Sequence, residues 1–260
     1  MIAVTKTEIK TSIGRIAVFG NKTNLDKTPV IFLHGVYFDH HLWDYQISKI
    51  SDRQVFAIDM PLHGESKTGI RKNWNMDDCA DMLIEILEGL KLEKVIAIGH
   101  SWGSMTIIRA ADRQPGRFAA IGLCNMPFKE ATSSVKLNIR LQHTAIIFKS
   151  FYMKQAGKAL MAKESLDNNP GLLQQLTTPM SRLTNNEIKY TDTAVRINAK
   201  SAEQLIERIK MPALALVGRE DYVGVPPFSD TIIVKGGHVS PLEAPDEVAN
   251  LVNKLIKIAG

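Results

Sequence analysis

Six short, predominantly apolar runs constrain this chain more than any other feature: Pro29–Leu33, Val55–Ile58, Val95–Ile98, Ala119–Leu123, Ala213–Val217 and Thr231–Val234. Each is shorter than an ordinary helix and lacks the polar alternation of a half-solvated strand, the pattern of strands covered on both faces. Between them stand stretches with apolar residues at helical spacing. Asp77–Leu90 follows Asn75, a candidate N-cap; Trp102–Arg113 is stopped by Pro115-Gly116; Pro241–Ile258 sets Val248, Leu251, Val252, Leu255 and Ile256 on one face. Strand and helix in alternation predict βαβ units and a mostly parallel α/β sheet. Ahead of them, Thr7–Thr11 and Arg15–Phe19 alternate on either side of Ile13-Gly14, which predicts an antiparallel hairpin at the sheet edge, and residues 21–28 read as a polar loop.

The alternation breaks between Met126 and Ser201. The pattern there is helical throughout, with Met153, Met161, Met180 and the run Ile146-Ile147-Phe148 as apolar material. A helical block set into an α/β core reads as a lid, so residues 126–201 are expected to cover a core made of 1–125 and 202–260. The net charge of +5 is concentrated in this block: residues 127–200 hold eleven Lys/Arg and five Asp/Glu, and the rest holds 21 basic and 22 acidic residues. A solvated helical surface accounts for that excess, and attraction of an anionic acyl carrier is the alternative reading. Basic and aromatic residues do not alternate as in nucleic-acid binders, so nucleic acid is not an expected partner. No apolar run reaches the ~20 residues of a transmembrane helix, and the start of the chain lacks the apolar stretch of a secretory signal, so a cytoplasmic protein is expected. Cys79 and Cys124 fall in apolar settings and read as buried thiols.

Gly99-His100-Ser101-Trp102-Gly103 lies between the run Val95–Ile98 and a helical stretch. Gly-x-Ser-x-Gly in a strand–turn–helix context is the pattern of a nucleophile elbow, in which a tight turn exposes a serine at the start of a helix. A serine hydroxyl needs a base. His238, in Gly236-Gly237-His238 after the last predicted strand, is the histidine placed to supply it. The base needs an acid to hold its tautomer. Asp221, just past the run Ala213–Val217, is preferred to Glu220 and Asp230, and the order Ser, Asp, His suits this architecture. An oxyanion site needs two backbone donors. Trp102 N–H is one, and Val36 N–H, in His34-Gly35-Val36-Tyr37, is the other, with Tyr37 as its alternative. Tyr37, Met126, Phe148 and Met153 are expected to line an acyl pocket. No cofactor and no metal site is expected; His40-His41 has no supporting carboxylate or cysteine pattern.

His34-Gly35, Trp43, the stretch Asp59–Ser66, Gly99–Gly103, Gly218–Asp221 and Gly237-His238 together resemble the α/β-hydrolase superfamily. The resemblance covers the chain outside residues 126–201. It implies a mostly parallel eight-stranded sheet with helices on both faces and an inserted helical lid. It also implies cleavage of a small-molecule carboxylic ester, thioester or lactone through an acyl-enzyme. Similar dehalogenases and epoxide hydrolases carry Asp where this chain has Ser101. Biotin-pathway methyl-ester carboxylesterases, acyl-homoserine lactonases and carbon–carbon bond hydrolases have lids of comparable size, and prolyl iminopeptidases share the Ser-Trp-Gly-Ser elbow. Plant butenolide and strigolactone receptors keep a full triad but turn over slowly, so a ligand sensor is the competing class. In such proteins Asp59 and His63 belong to a structural loop, and His100 packs beside the elbow. Leu62 stands where many relatives have glycine, and the span from Asp221 to His238 leaves room for only a minimal crossover.

Overall fold

The computed structural model describes residues 4–21, 26–228 and 230–260. The first three residues and positions 22–25 of the expected polar loop lie outside the described residues. One eight-stranded sheet runs in the order β1 (Val4–Lys10), β2 (Arg15–Asn21), β4 (Val55–Ile58), β3 (Val30–Leu33), β5 (Val95–His100), β6 (Phe118–Cys124), β7 (Ala213–Gly218) and β8 (Thr231–Val234). The β1–β2 and β2–β4 pairs are antiparallel and the remaining pairs parallel. The predicted hairpin is therefore the sheet edge, and the six apolar runs are the strands β3 to β8.

The apolar runs alternate between two cores. In β3, Ile31 and Leu33 pack on the side of α2 (Met76–Gly89) and α3 (Trp102–Arg113), while Val30 and Phe32 face the other core with Trp43. That second core is closed by Val248, Leu251, Val252 and Leu255 of the C-terminal helix and borders the short α1 (Asp44–Ser48). Burial on both faces is why these strands read as continuous apolar runs. Asn75 caps α2 as the sequence predicts. Its side chain accepts from Asp77 N–H (2.7 Å) and Asp78 N–H (3.2 Å), and Asp78 accepts from Asn75 N–H in return (2.8 Å).

Residues 126–201 are helical from Ser133 to Ile197: α4 (Ser133–Ala145), α5 (Lys149–Leu160), α6 (Lys163–Asn168), α7 (Gly171–Ser181), α8 (Asn185–Asp192) and a π-helical turn, Thr193–Ile197. Ile146, Tyr152, Leu176, Met180 and Ile188 join the core that holds Trp43, which seats the insertion on the sheet's parent domain. After α9 (Glu203–Glu207) the chain re-enters at β7.

One local expectation changes, and the short crossover keeps to its expected form. The single helix expected over Pro241–Ile258 is two, α10 (Ser240–Glu243) and α11 (Pro245–Ala259), because Ala244 leaves the helical region (φ −138°, ψ 58°). The residue before a proline is sterically pushed out of the α region, and Pro245 then opens α11 at its first turn. The crossover from β7 to β8, residues 219–230, holds no helix among its described residues. It is held instead by bonds that prolong the β7–β8 pairing: Arg219 N–H to Val234 O (2.8 Å) and Glu220 N–H to Gly236 O (3.0 Å). Leu62 takes a left-handed backbone (φ 69°) and keeps the turn through Leu62 N–H to Ser66 O (2.9 Å), so the glycine of relatives is replaced here at a conformational cost of ~1 kcal/mol or more.

Candidate active site

Ser101 sits between β5 and α3 with φ 50°, ψ −107°, a strained conformation for a residue with a side chain. The flanking glycines are required by contact. A Cβ at Gly99 would lie 2.4 Å from Ser104 N, and one at Gly103 would lie 2.2 Å from Leu33 O. The turn is thereby folded tightly against α3 and β3, and the hydroxyl is presented at the carboxyl edge of the sheet.

His238 approaches from the loop after β8 and Asp221 from the loop after β7. Gly218 and Gly237 let these loops touch, since a Cβ on Gly218 would stand 2.0 Å from Gly237 O. The result is a continuous chain of hydrogen bonds. His238 Nδ1 lies 2.8 Å from Asp221 Oδ1, and His238 Nε2 lies 2.8 Å from Ser101 Oγ. The carboxylate can only accept, so Nδ1 carries the proton and Nε2 accepts from the serine hydroxyl. Burial alone would raise the Asp221 carboxyl. The facing His238, together with donation from Asn125 Nδ2 (2.8 Å) and Val223 N–H (3.1 Å), instead holds it below the usual carboxylate range. The competitors Glu220 and Asp230 are both exposed.

Asn125 was not singled out by the sequence. It directly follows β6 in a left-handed conformation (φ 51°), fully buried, with Nδ2 also reaching Gly237 O (3.2 Å) and Oδ1 accepting from Ser240 N–H (3.3 Å). One amide thus ties Asp221 to the loop that bears His238. A second brace is Glu243, whose carboxylate accepts from Gly237 N–H (2.9 Å), Val239 N–H (3.0 Å) and Ala162 N–H (2.8 Å). His238 N–H itself donates to Leu160 O (2.7 Å) at the end of α5.

His100 donates from Nε2 to His238 O (2.7 Å), and burial pushes its pKa down to about 3, so it stays neutral. Burial likewise holds His34 at about 3 and His63 at about 4. His34 Nε2 accepts from Met60 N–H (2.9 Å) and His63 Nε2 from Tyr37 N–H (3.1 Å). That last bond spends the Tyr37 N–H and removes Tyr37 as an oxyanion donor. Val36 lines the cavity beside Ser101, and Trp102 is the first residue of α3, whose N–H has no intrahelical acceptor. Asp59 accepts from His40 N–H (2.8 Å), His40 Nδ1 (2.9 Å) and Glu65 N–H (2.8 Å), which makes it the organiser of its loop. Ligand-type atoms of Asp39, His40 and His41 lie within 4.8 Å of one another, but His40 is turned to Asp59 and His41 to Asp44 (2.9 Å). Both cysteines are buried and unpaired.

A cavity of about 320 Å³ opens onto Ser101 and His238. Its wall is mostly apolar: Val36, Tyr37 and Phe38 from the loop after β3, Met105 from α3, Phe128, Val135 and Ile139 from the start of the insertion, Leu160 from its middle and Val195 from its far end. Of the four expected lining residues Tyr37 takes its place there. The other three do not: Met126 is a core residue packed with α2 and α3, Met153 is half-buried against the core that holds Trp43, and Phe148 is 68% exposed. The methionine that does line the cavity, Met105, comes from the helix of the elbow rather than from the insertion.

Arg196 also lines the cavity, and its Nη1 donates to Asp192 Oδ1 (3.2 Å) and Tyr37 Oη (3.1 Å). Asp192 is fully buried and further accepts from Tyr37 Oη (2.7 Å), Tyr152 Oη (3.3 Å) and His143 Nε2 (3.1 Å). Burial works against its charge, but Arg196 and the hydrogen bonds from His143 and Tyr37 hold its carboxyl below the usual range. Because the folded pKa is depressed, this stabilisation is complete above the unfolded value near ~4 and is lost as pH falls through the folded value. Asp192→Asn leaves Arg196 without its counter-charge and is expected to destabilise the protein by ~2–3 kcal/mol. That is at or just below the ~3–5 kcal/mol of breaking a fully buried pair, since Arg196 keeps one side open to the cavity. Urea denaturation of the two proteins at neutral pH and at pH ~2.5, well below the unfolded value, measures it, and the difference should shrink at the lower pH.

Comparison with known proteins follows the same geometry. A family model described as the alpha/beta hydrolase fold matches residues 28–148. A thermophilic esterase from Thermogutta terrifontis superposes with a TM-score of 0.85 at 22% identity, covering 98% of this chain and 100% of that one. An enol-lactonase from Burkholderia xenovorans LB400 superposes with a TM-score of 0.85 at 15% identity, covering 96% and 100%. Among curated proteins, 97 residues are 29% identical to the dihydrolipoyllysine-residue acetyltransferase component of the acetoin cleaving system of Pseudomonas putida, covering 37% of this chain and 26% of that protein. The chain spans between about a quarter and a third of the length of this and the next two curated relatives. Structural likeness at these identities carries the fold.

Proposed function

We propose, because this chain belongs to the α/β-hydrolase superfamily, that it hydrolyses a carboxylic ester or lactone of a small molecule with Ser101 as nucleophile, His238 as general base and Asp221 as the orienting acid. The observation that carries this reading is the hydrogen-bonded line from Asp221 Oδ1 through His238 to Ser101 Oγ, with both links at 2.8 Å. Esterase and enol-lactonase structures among its neighbours are consistent with that chemistry.

His238 Nε2 takes the hydroxyl proton as Ser101 Oγ attacks the carbonyl carbon. Negative charge gathers on the carbonyl oxygen, which faces the N–H groups of Val36 and Trp102. Collapse of the tetrahedral species breaks the ester bond, and the leaving alkoxide receives the proton now on His238. A water molecule, deprotonated by the same nitrogen, then attacks the acyl-enzyme and frees the acid and Ser101. Asp221 holds Nδ1–H throughout and offsets the positive charge on the imidazolium. We assign residues 126–201 the role of a lid, on the ground that Val135, Ile139, Leu160, Val195 and Arg196 come from it to roof the cavity. A cavity wall that is mainly apolar suits an acyl chain more than a sugar or peptide.

The test is turnover on a panel of p-nitrophenyl esters of increasing chain length, with aliphatic lactones and acyl thioesters in parallel. Hydrolysis of esters or lactones at a rate that saturates with substrate supports the assignment. Tight binding of lactones by a folded protein with no turnover on any member of the panel would transfer the chain to the ligand-sensor class.

A further inference from the structure

The outer face of the insertion carries a feature that ester hydrolysis leaves unused. From residue 131 to residue 163 the chain has six Lys/Arg (Lys136, Arg140, Lys149, Lys154, Lys158, Lys163) and no Asp or Glu. The same stretch exposes large apolar side chains. Leu137 and Leu141 stand one turn apart on the outer side of α4, opposite the buried Ile139; Ile147 and Phe148 occupy the α4–α5 turn; Phe151 follows one turn into α5. Ile147 is 72% and Phe148 68% exposed, which places whole side chains in solvent, while their neighbour Ile146 is fully buried and anchors the turn. Lys136 and Lys163, at the ends of the stretch, pair with Glu130 and Asp167, whereas Arg140, Lys154 and Lys158 have no carboxylate partner among the described residues. Single exposed leucines need no explanation, but five such side chains within fifteen residues, with these cations beside them, form a surface that calls for a covering partner.

We propose that this face of α4 and α5 docks on an anionic lipid bilayer, with the Ile147-Phe148 turn entering the headgroup–acyl boundary and Arg140, Lys154 and Lys158 facing the lipid charges. The charge pattern selects the occupant. A second copy of the chain, meeting this one across a two-fold axis, would set cation against cation. A bilayer of acidic phospholipid supplies opposite charge across the whole face and an apolar layer beneath it, and amphipathic helices with Lys/Arg beside Leu and Phe bind such interfaces. Val135 and Ile139, one turn apart on α4, line the cavity from the opposite side of the helix, so docking on the outer face leaves the pocket wall in place. None of the helices in the described residues is long and apolar enough to cross a membrane, so the attachment is peripheral.

The inference does not depend on the catalytic assignment, and vesicle binding decides it. The purified protein is sedimented with vesicles of phosphatidylcholine and with vesicles of equal parts phosphatidylcholine and phosphatidylglycerol, at low and high salt. Binding is expected on the anionic vesicles at low salt, with loss at high salt and little on the neutral ones. Leu141→Gln/Ile147→Gln and Arg140→Gln/Lys154→Gln are each expected to lower the partition coefficient by about tenfold or more while leaving circular dichroism and hydrolysis of a soluble short ester unchanged. Absence of binding at low salt overturns the proposal. So does retention of binding by either double variant; a surface that loses binding only with its charges is electrostatic alone, and capture of an acidic acyl carrier protein without vesicle binding would assign it to that partner.

Discussion

Ser101→Ala is expected to fold normally and to hydrolyse its best ester at least ~10⁴-fold more slowly than the parent protein. The variant removes one oxygen and leaves the backbone demand unchanged, because alanine and serine meet the same penalty at φ 50°. It also removes the only partner that His238 Nε2 has among the described residues, so the imidazole keeps Asp221 and its clamp to Leu160 but has no hydroxyl to activate. Residual rate would come from the backbone donors at Val36 and Trp102 and from binding. The measurement is steady-state hydrolysis together with a thermal melt, using protein free of host esterase. A melt unchanged within a degree or so and ester turnover close to that of the parent would remove Ser101 from the mechanism altogether.

Asp221→Asn ranks next, with an expected loss of ~10⁴-fold in kcat at neutral pH. An amide in place of the carboxylate can present its NH₂ to His238 Nδ1, which turns the ring to the tautomer that offers a proton, rather than a lone pair, to Ser101. Asn125 Nδ2 requires an acceptor at the Oδ2 position and Val223 N–H one at the Oδ1 position, so the amide loses a hydrogen bond whichever way it turns, and the nitrogen faces the histidine when the Asn125 bond is the one kept. Neutralising Glu220 or Asp230, both exposed, should leave kcat near that of the parent. Asn125→Ala should fall between, at about tenfold, because Asp221 keeps its histidine but loses one buried donor. If Asp230→Asn proves to be the inactivating change, the acid has been assigned to the wrong loop.

These assignments show what was legible in the sequence and why. The elbow was readable because its demands are local: two glycines packed to within 2.4 Å of neighbouring backbone, a preceding buried strand and a following helix. His238 and Asp221 were readable because the topology fixes which strand ends meet at the carboxyl edge. Asn125 was also at such an end, directly after β6, and a buried amide closing an apolar run was the signal available. The split between α10 and α11 turned on Ala244-Pro245, where apolar periodicity continues across a backbone break. The pocket wall was the least legible part. Met126, Phe148 and Met153 differ little from Ile139, Leu160 and Val195 in character, and only the packing of α4, α5 and the π-helical turn decides which of them faces the cavity. Asp192 and Arg196, four residues apart in a helical stretch, carry no mark in the sequence of the burial that the fold gives the acid beneath Tyr37 and Tyr152.

The clamp between the insertion and the loop of His238 has a consequence for how this molecule can be rebuilt. Leu160 O receives the His238 N–H and Ala162 N–H is held by the same carboxylate that holds Gly237 and Val239. Residues 160–162 therefore belong mechanically to the imidazole's mounting, although in sequence they lie in the middle of a detachable-looking helical module. A chimera that exchanges the whole of 126–201 for the equivalent block of another protein of this fold transplants part of the cavity wall and a bearing of the His238 loop together. Exchanges confined to 127–145 leave the bearing in place, and it is along that first helix that directed evolution has room to reshape the pocket without disturbing the mounting of His238.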